Sequence, residues 1–167
     1  GTDKTRSMYR PIGINRNCQL AVLQIRPYVP QSHRGVQWMS FGSNPFNALV
    51  PFFTNVREAP EYLSNTTARV STDSFYWANR LIAALADARF RDNENAIDRY
   101  REKVGAFGHK LIHETDEALA CCPEEDVQAV LAAANLRMAD YLREQTDALL
   151  SKVLYTTSLA MKNHFAM

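Results

Sequence analysis

The rhythm of apolar and polar positions changes near residue 72. Before it, short runs alternate bulky apolar residues with small or polar ones, the period of half-buried strands. Residues 19–26 (QLAVLQIR), 36–41 (VQWMSF) and 48–54 (ALVPFFT) are the three expected strands. All but one of the seven prolines and four of the six glycines fall in this part, which disfavours long helices. The connections are short enough for antiparallel neighbours, and Pro51 requires a sheet edge or a bulge. After residue 72 the period becomes helical. Thr72 or Asp73 can cap a helix over residues 74–90, with Phe75, Tyr76, Trp77, Leu81, Ile82 and Leu85 around most of its circumference. Residues 91–95 (RDNEN) read as a polar joint. Ile97, Tyr100, Val104, Phe107 and Leu111 then make one narrow seam, as in paired antiparallel helices. Gly105 and Gly108 weaken that helix by about 1 kcal/mol each unless a neighbour packs closely. Pro123 suits the first position of a further helix, and Glu124, Glu125 and Asp126 suit the positive end of its dipole. Its stripe is Val127, Leu131, Ala134, Met138, Tyr141, Leu149 and Val153, with a gap at Gln145 and a bend expected over residues 155–158. The last two helices should form a hairpin that turns at Cys121 and Cys122. The expected class is α+β, with a strand segment over residues 1–71 and a helical segment over 72–167 in one domain.

Composition narrows the class further. A chain of 167 residues with 46% apolar and 22% charged residues suits one globular domain with a sizeable core. Its net charge of +1 supplies no field for nucleic acid or an anionic membrane, so neither is an expected partner. No apolar run approaches the ~18 residues of a membrane span, and GTDKTRSMYR lacks the apolar centre of a signal peptide. Cys121 and Cys122 are adjacent and Cys18 stands apart, so a disulfide framework is not expected and a reducing, cytoplasmic setting is. No cofactor is expected. Gly1 in place of a methionine suggests an excised piece of a larger protein.

Two stretches carry a likeness. YRPIGINRNCQLAVLQIRP (residues 9–27) and VSTDSFYWANRLIAALADARF (residues 70–90) resemble the C-terminal part of bacterial dipeptidases of the dipeptidase A type. That family belongs to the N-terminal-nucleophile hydrolases, relatives of penicillin V acylase. The resemblance implies a four-layer αββα fold in the whole enzyme and an N-terminal cysteine exposed by processing. The thiol would attack the peptide carbonyl with its own α-amino group as base, giving a thioester that water releases. No cysteine near the start of this chain stands in that context. The expectation is therefore the last third of a dipeptidase, inactive alone, with a dipeptide as substrate of the whole enzyme. In isolation its open sheet should dimerise or rearrange, so a homo-oligomer is expected. An interaction module built on the helical hairpin is the alternative.

The candidate chemistry lies around FGSNPFN, residues 41–47. Asn44 is the candidate oxyanion donor, since related acylases have an asparagine beside a proline in a comparable segment; the plain reading is turn chemistry. Asn47 is a candidate substrate-binding residue on the same turn. Arg80 could hold a substrate carboxylate bidentately, or pair structurally with Asp73 or Asp87. Cys18 with His33 is weighed as a nucleophile pair and set aside, because residues 17–25 (NCQLAVLQI) look like strand entry. His109 and His113 share a helical face, but HKLIHE lacks the glutamate of a zinc-protease helix, so no metal is expected. NTT at residues 65–67 fits a glycosylation acceptor and carries little weight without a secretion signal.

Overall fold

A computed structural model describes residues 17–42 and 45–161. Strands β1 (Gln19–Ile25), β2 (Gly35–Phe41) and β3 (Val50–Phe53) form one antiparallel sheet in the order β1-β2-β3. Then come a four-residue helix α1 (Glu61–Ser64) and three longer ones: α2 (Phe75–Asp87), α3 (Phe90–Leu119) and α4 (Val127–Leu159). The class is α+β, as the change of period indicates.

The register explains how β3 tolerates a proline. Val36 faces Phe53 and Trp38 faces Pro51, and the Thr54 amide donates to the Gly35 carbonyl at 3.3 Å. Hydrogen-bonded pairs alternate with non-bonded ones along an antiparallel ladder. Gly35 with Thr54 and Gln37 with Phe52 are therefore bonded pairs, whereas Pro51 and Phe53 turn their backbone groups to the outer edge. Pro51 lacks an N–H only where β2 needs none.

One sheet face packs on α3. A Cβ built on Gly108 would stand 2.7 Å from Cδ and 2.9 Å from Cγ of Pro51, so glycine lets the helix lie against the strand. At Gly105 nothing lies within 4 Å of such a Cβ. The two glycines thus have opposite meanings. Gly105→Ala should stabilise the protein by up to about 1 kcal/mol through helix propensity. Gly108→Ala should destabilise it by about 1–3 kcal/mol through overpacking, both read from urea midpoints.

α3 and α4 pair along the expected seam. Ile97, Tyr100, Val104 and Leu111 are buried, and Phe107 stacks on Tyr141 with centroids 3.9 Å apart. The gap at Gln145 is filled by buried Leu142 and Thr146. Thr146 donates its hydroxyl hydrogen to the Leu142 carbonyl at 2.7 Å, so Tyr100 must be the donor in their 3.0 Å contact. Burial pushes the Tyr100 phenol well above its ordinary pKa, which keeps that donor protonated.

Two expectations about the helices fail. Residues 91–95 are no joint: α2 ends at Asp87, and these residues form the first turns of α3. The chain breaks at Arg89 instead, whose carbonyl accepts from the buried Asn93 side chain at 3.0 Å. The expected bend over residues 155–158 is absent, since α4 continues to Leu159. There the Ser158 hydroxyl bonds back to the Tyr155 carbonyl at 2.8 Å, and Thr157 reaches the Leu85 carbonyl at 3.4 Å, so these hydroxyls are satisfied without a break.

Candidate functional site

The turn that follows β2 is held by one carbonyl. The Phe41 oxygen accepts the Asn47 side-chain amide at 2.8 Å and the Asn79 amide of α2, also at 2.8 Å. β3 begins too late to pair with this carbonyl, so two asparagines take the place of a strand partner. Gly42 follows with φ of +83°, the left-handed region that favours glycine. A Cβ there would lie 2.9 Å from Cβ of Asn79, 3.5 Å from the Tyr76 carbonyl oxygen and 3.6 Å from the Arg80 nitrogen. The Gly42 backbone therefore rests directly on α2. The Gly42 amide reaches back to the Cys18 carbonyl at 3.0 Å, and Phe46 is anchored edge-on against Phe90 at 5.9 Å.

Cys18, Gly42, Asn47, Asn79 and Arg80 thus gather at one end of the sheet. Asn47 is buried with its amide engaged on Phe41, and Arg80 lies exposed on α2. Asn44 lies outside the described residues. Asp73 pairs with Arg143 at 2.5 Å, and Arg143 lies over the Tyr62 ring at 5.7 Å. Asn79 was not singled out in the sequence. It is fully buried, and its Oδ1 has no hydrogen-bond partner among the described residues. Its signal was an amide on the buried face of Phe75, Ala78 and Ile82. Phe41 also lines an apolar cleft of about 380 Å³ that runs past Met39 and Phe52 to Leu63 and Asn135.

A second polar cluster sits at the other end of the β1–β2 hairpin. Arg26, 1% exposed, donates to Asp116 of α3 at 2.5 Å and to the His33 carbonyl at 2.6 Å. His33 Nε2 lies 3.9 Å from Asp116, and its Nδ1 lies 3.2 Å from the Ser32 hydroxyl. Burial lowers the His33 pKa, with Asp116 pulling it up and Arg26 pushing it down. This cluster ties the hairpin to α3, and Cys18, at the far end of β1, is not part of it. The His109 ring lies tilted against Trp38, centroids 4.8 Å apart, while His113 faces Glu117 at 3.4 Å, so the two rings have separate partners. Among the described residues, no three His, Cys, Asp or Glu side chains are grouped to hold a metal ion. None of the described helices is long and apolar enough to cross a membrane. Asn65 follows α1 and donates its side-chain amide to the Asp73 carbonyl at 2.9 Å.

The model of peptidase family C69 matches residues 1–103. The whole chain is 49% identical to a dipeptidase of Bifidobacterium longum (strain NCC 2705), of which it covers 38%. It is 44% identical to a probable dipeptidase A of Streptococcus pyogenes serotype M3 (strain SSI-1), covering 35% of that protein. Over 92% of its length it is 39% identical to dipeptidase A of Lactobacillus helveticus, covering 32% of it. The chain thus spans roughly a third of the length of these relatives.

Proposed function

Because the chain belongs to peptidase family C69, we propose that it is the substrate-framing portion of a cysteine-type dipeptidase whose attacking thiol lies elsewhere on a longer polypeptide. The observation that carries this reading is the convergence of Gly42, Asn47, Asn79 and the Arg80 backbone on the Phe41 carbonyl end of the sheet. Acyl transfer requires donors fixed before charge develops, and a Phe41 carbonyl held by two amides beside a Gly42 seated on α2 supports this reading.

In this reading the N-terminal cysteine thiol gives its proton to its own α-amino group and attacks the dipeptide carbonyl. The Asn44 amide donates to the oxyanion. Collapse expels the amine, which takes the proton from the α-ammonium, and leaves a thioester. Water then attacks the thioester, releases the acid and restores the thiol. Arg80 holds the substrate carboxylate through paired N–H donors, and Asn47 lines the same turn. The chain alone, lacking the thiol, does not turn over.

The test uses the enzyme of relatives' length. Asn44→Ala should lower kcat by about 10²–10³-fold with an unchanged melting temperature. Arg80→Lys should raise the KM for dipeptides, since a point-charge ammonium cannot reproduce the bidentate fork. An unchanged kcat in Asn44→Ala removes that residue from the mechanism.

A further inference from the structure

Among the described residues, β1 is an edge strand of the sheet, with β2 on one side only. The Gly42 amide donates to the Cys18 carbonyl and the Arg26 amide to the Arg34 carbonyl, which makes these the bonded pairs of the β1–β2 ladder. By alternation Leu20, Val22 and Gln24 also bond inward, so Gln19, Ala21, Leu23 and Ile25 turn their amides and carbonyls outward. Edge strands that face water are blunted by lysine, proline or bulges. β1, QLAVLQI, has no charge, no proline and an unbroken register. Five of its seven side chains are apolar, and exposed ones lie on both faces, with Leu23 at 75%, Ile25 at 76% and Val22 at 48%. Beside it lies a shallow groove walled by Val22, Trp38, Leu49 and His109. β3, by contrast, has its outer edge closed by Asn135.

We propose that the outer edge of β1 is the docking seam for a strand from the part of the polypeptide that the relatives carry beyond the matched third. This rests on the reading of the chain as part of a longer enzyme. The length argues for that occupant: about two-thirds of each relative lies outside the match, and it needs a place to attach. The added strand pairs with the backbone of Gln19, Ala21, Leu23 and Ile25, and an apolar layer covers Leu23 and Ile25.

The test is amide hydrogen exchange on a chimera in which this chain replaces the matched region of the Bifidobacterium longum dipeptidase. The same exchange is followed when the unmatched region of that protein is added in trans, so that a poorly folding chimera does not decide the matter. The amides of Gln19, Ala21, Leu23 and Ile25 should exchange fast in the isolated chain and slowly in the joined or mixed protein. Leu23→Pro removes an outward donor but no ladder bond, as Pro51 does in β3. It should leave the isolated chain's melting temperature unchanged and weaken docking about tenfold or more. Outward amides that stay fast in a joined or mixed protein overturn the proposal. So does protection that rises with the concentration of this chain alone and is not displaced by the added region, which assigns the edge to a second copy. Protection without dipeptide turnover would fail the hydrolase reading and leave the seam intact.

Discussion

Replacing Arg26 with methionine is expected to destabilise the fold by about 3 kcal/mol, the low end for breaking a buried pair from one side, since Asp116 keeps 23% exposure. The guanidinium is 1% exposed, bonds Asp116 and the His33 carbonyl, and lies 5.5 Å over the Phe53 ring. Without it, the Asp116 carboxylate and the His33 carbonyl lose their donors together. The pair itself adds less than this loss suggests, because Arg26 Nε is buried without a partner among the described residues. Arg26→Met combined with Asp116→Leu should therefore recover most of the loss. Urea unfolding with an unchanged m-value is the measurement, and a double variant no more stable than the single one sinks the account.

The same cluster gives a pH dependence with a fixed sign. The folded pKa of His33 lies below the ordinary value of 6.5, so as the pH falls the unfolded chain takes up the proton first. Stability from neutral His33 is full above 6.5 and is lost as the pH drops toward the folded value. His33→Gln should flatten that slope. Arg26→Met should make it shallower, because it removes one of the influences that hold the pKa down.

Periodicity carried the parts of this fold that bury apolar side chains in register. The seam from Ile97 to Leu111 and the stripe from Val127 to Val153 were legible because each position repeats at helical spacing. What escaped were polar side chains that face inward and satisfy backbone. Arg91, Asp92, Glu94 and Asn95 are exposed, so RDNEN reads as a joint, yet Asn93 within it is fully buried. Arg26 looked like the charged end of a strand, since its partner Asp116 is 90 residues away. Around the candidate site, the glycine and the asparagines were visible as turn chemistry, and their register against α2 was not. Asn79 shows why: only the fold reveals that the Phe41 carbonyl has no strand opposite it. Hydropathy treats such an amide as a surface residue, although it does the work of a missing strand.

Asn135 presents this principle in its strongest form and yields the second large effect. Its Oδ1 accepts the Phe53 amide at 2.9 Å and its Nδ2 donates to the Phe53 carbonyl at 3.0 Å, so one side chain completes the outer edge of β3. Both residues are buried, so neither backbone group of Phe53 is freely hydrated once the amide is gone. Asn135→Ala should cost about 2–6 kcal/mol, the penalty for two buried groups left unpaired at 1–3 each. Asn135→Asp separates the two bonds by pH. A neutral carboxyl offers a carbonyl to the Phe53 amide and a hydroxyl to the Phe53 carbonyl, reproducing both contacts. The carboxylate keeps the first and sets a buried charge against the second. The folded pKa of that aspartate should lie above the unfolded value of about 3.9. Its stabilising protonated form is then complete below the unfolded value and is lost as the pH rises through the folded one. Urea midpoints of this variant relative to the parent should fall between pH 4 and pH 7, a slope opposite to that from His33. An aspartate variant whose deficit is the same at both pH values would mean that Asn135 does not close the strand edge through paired bonds.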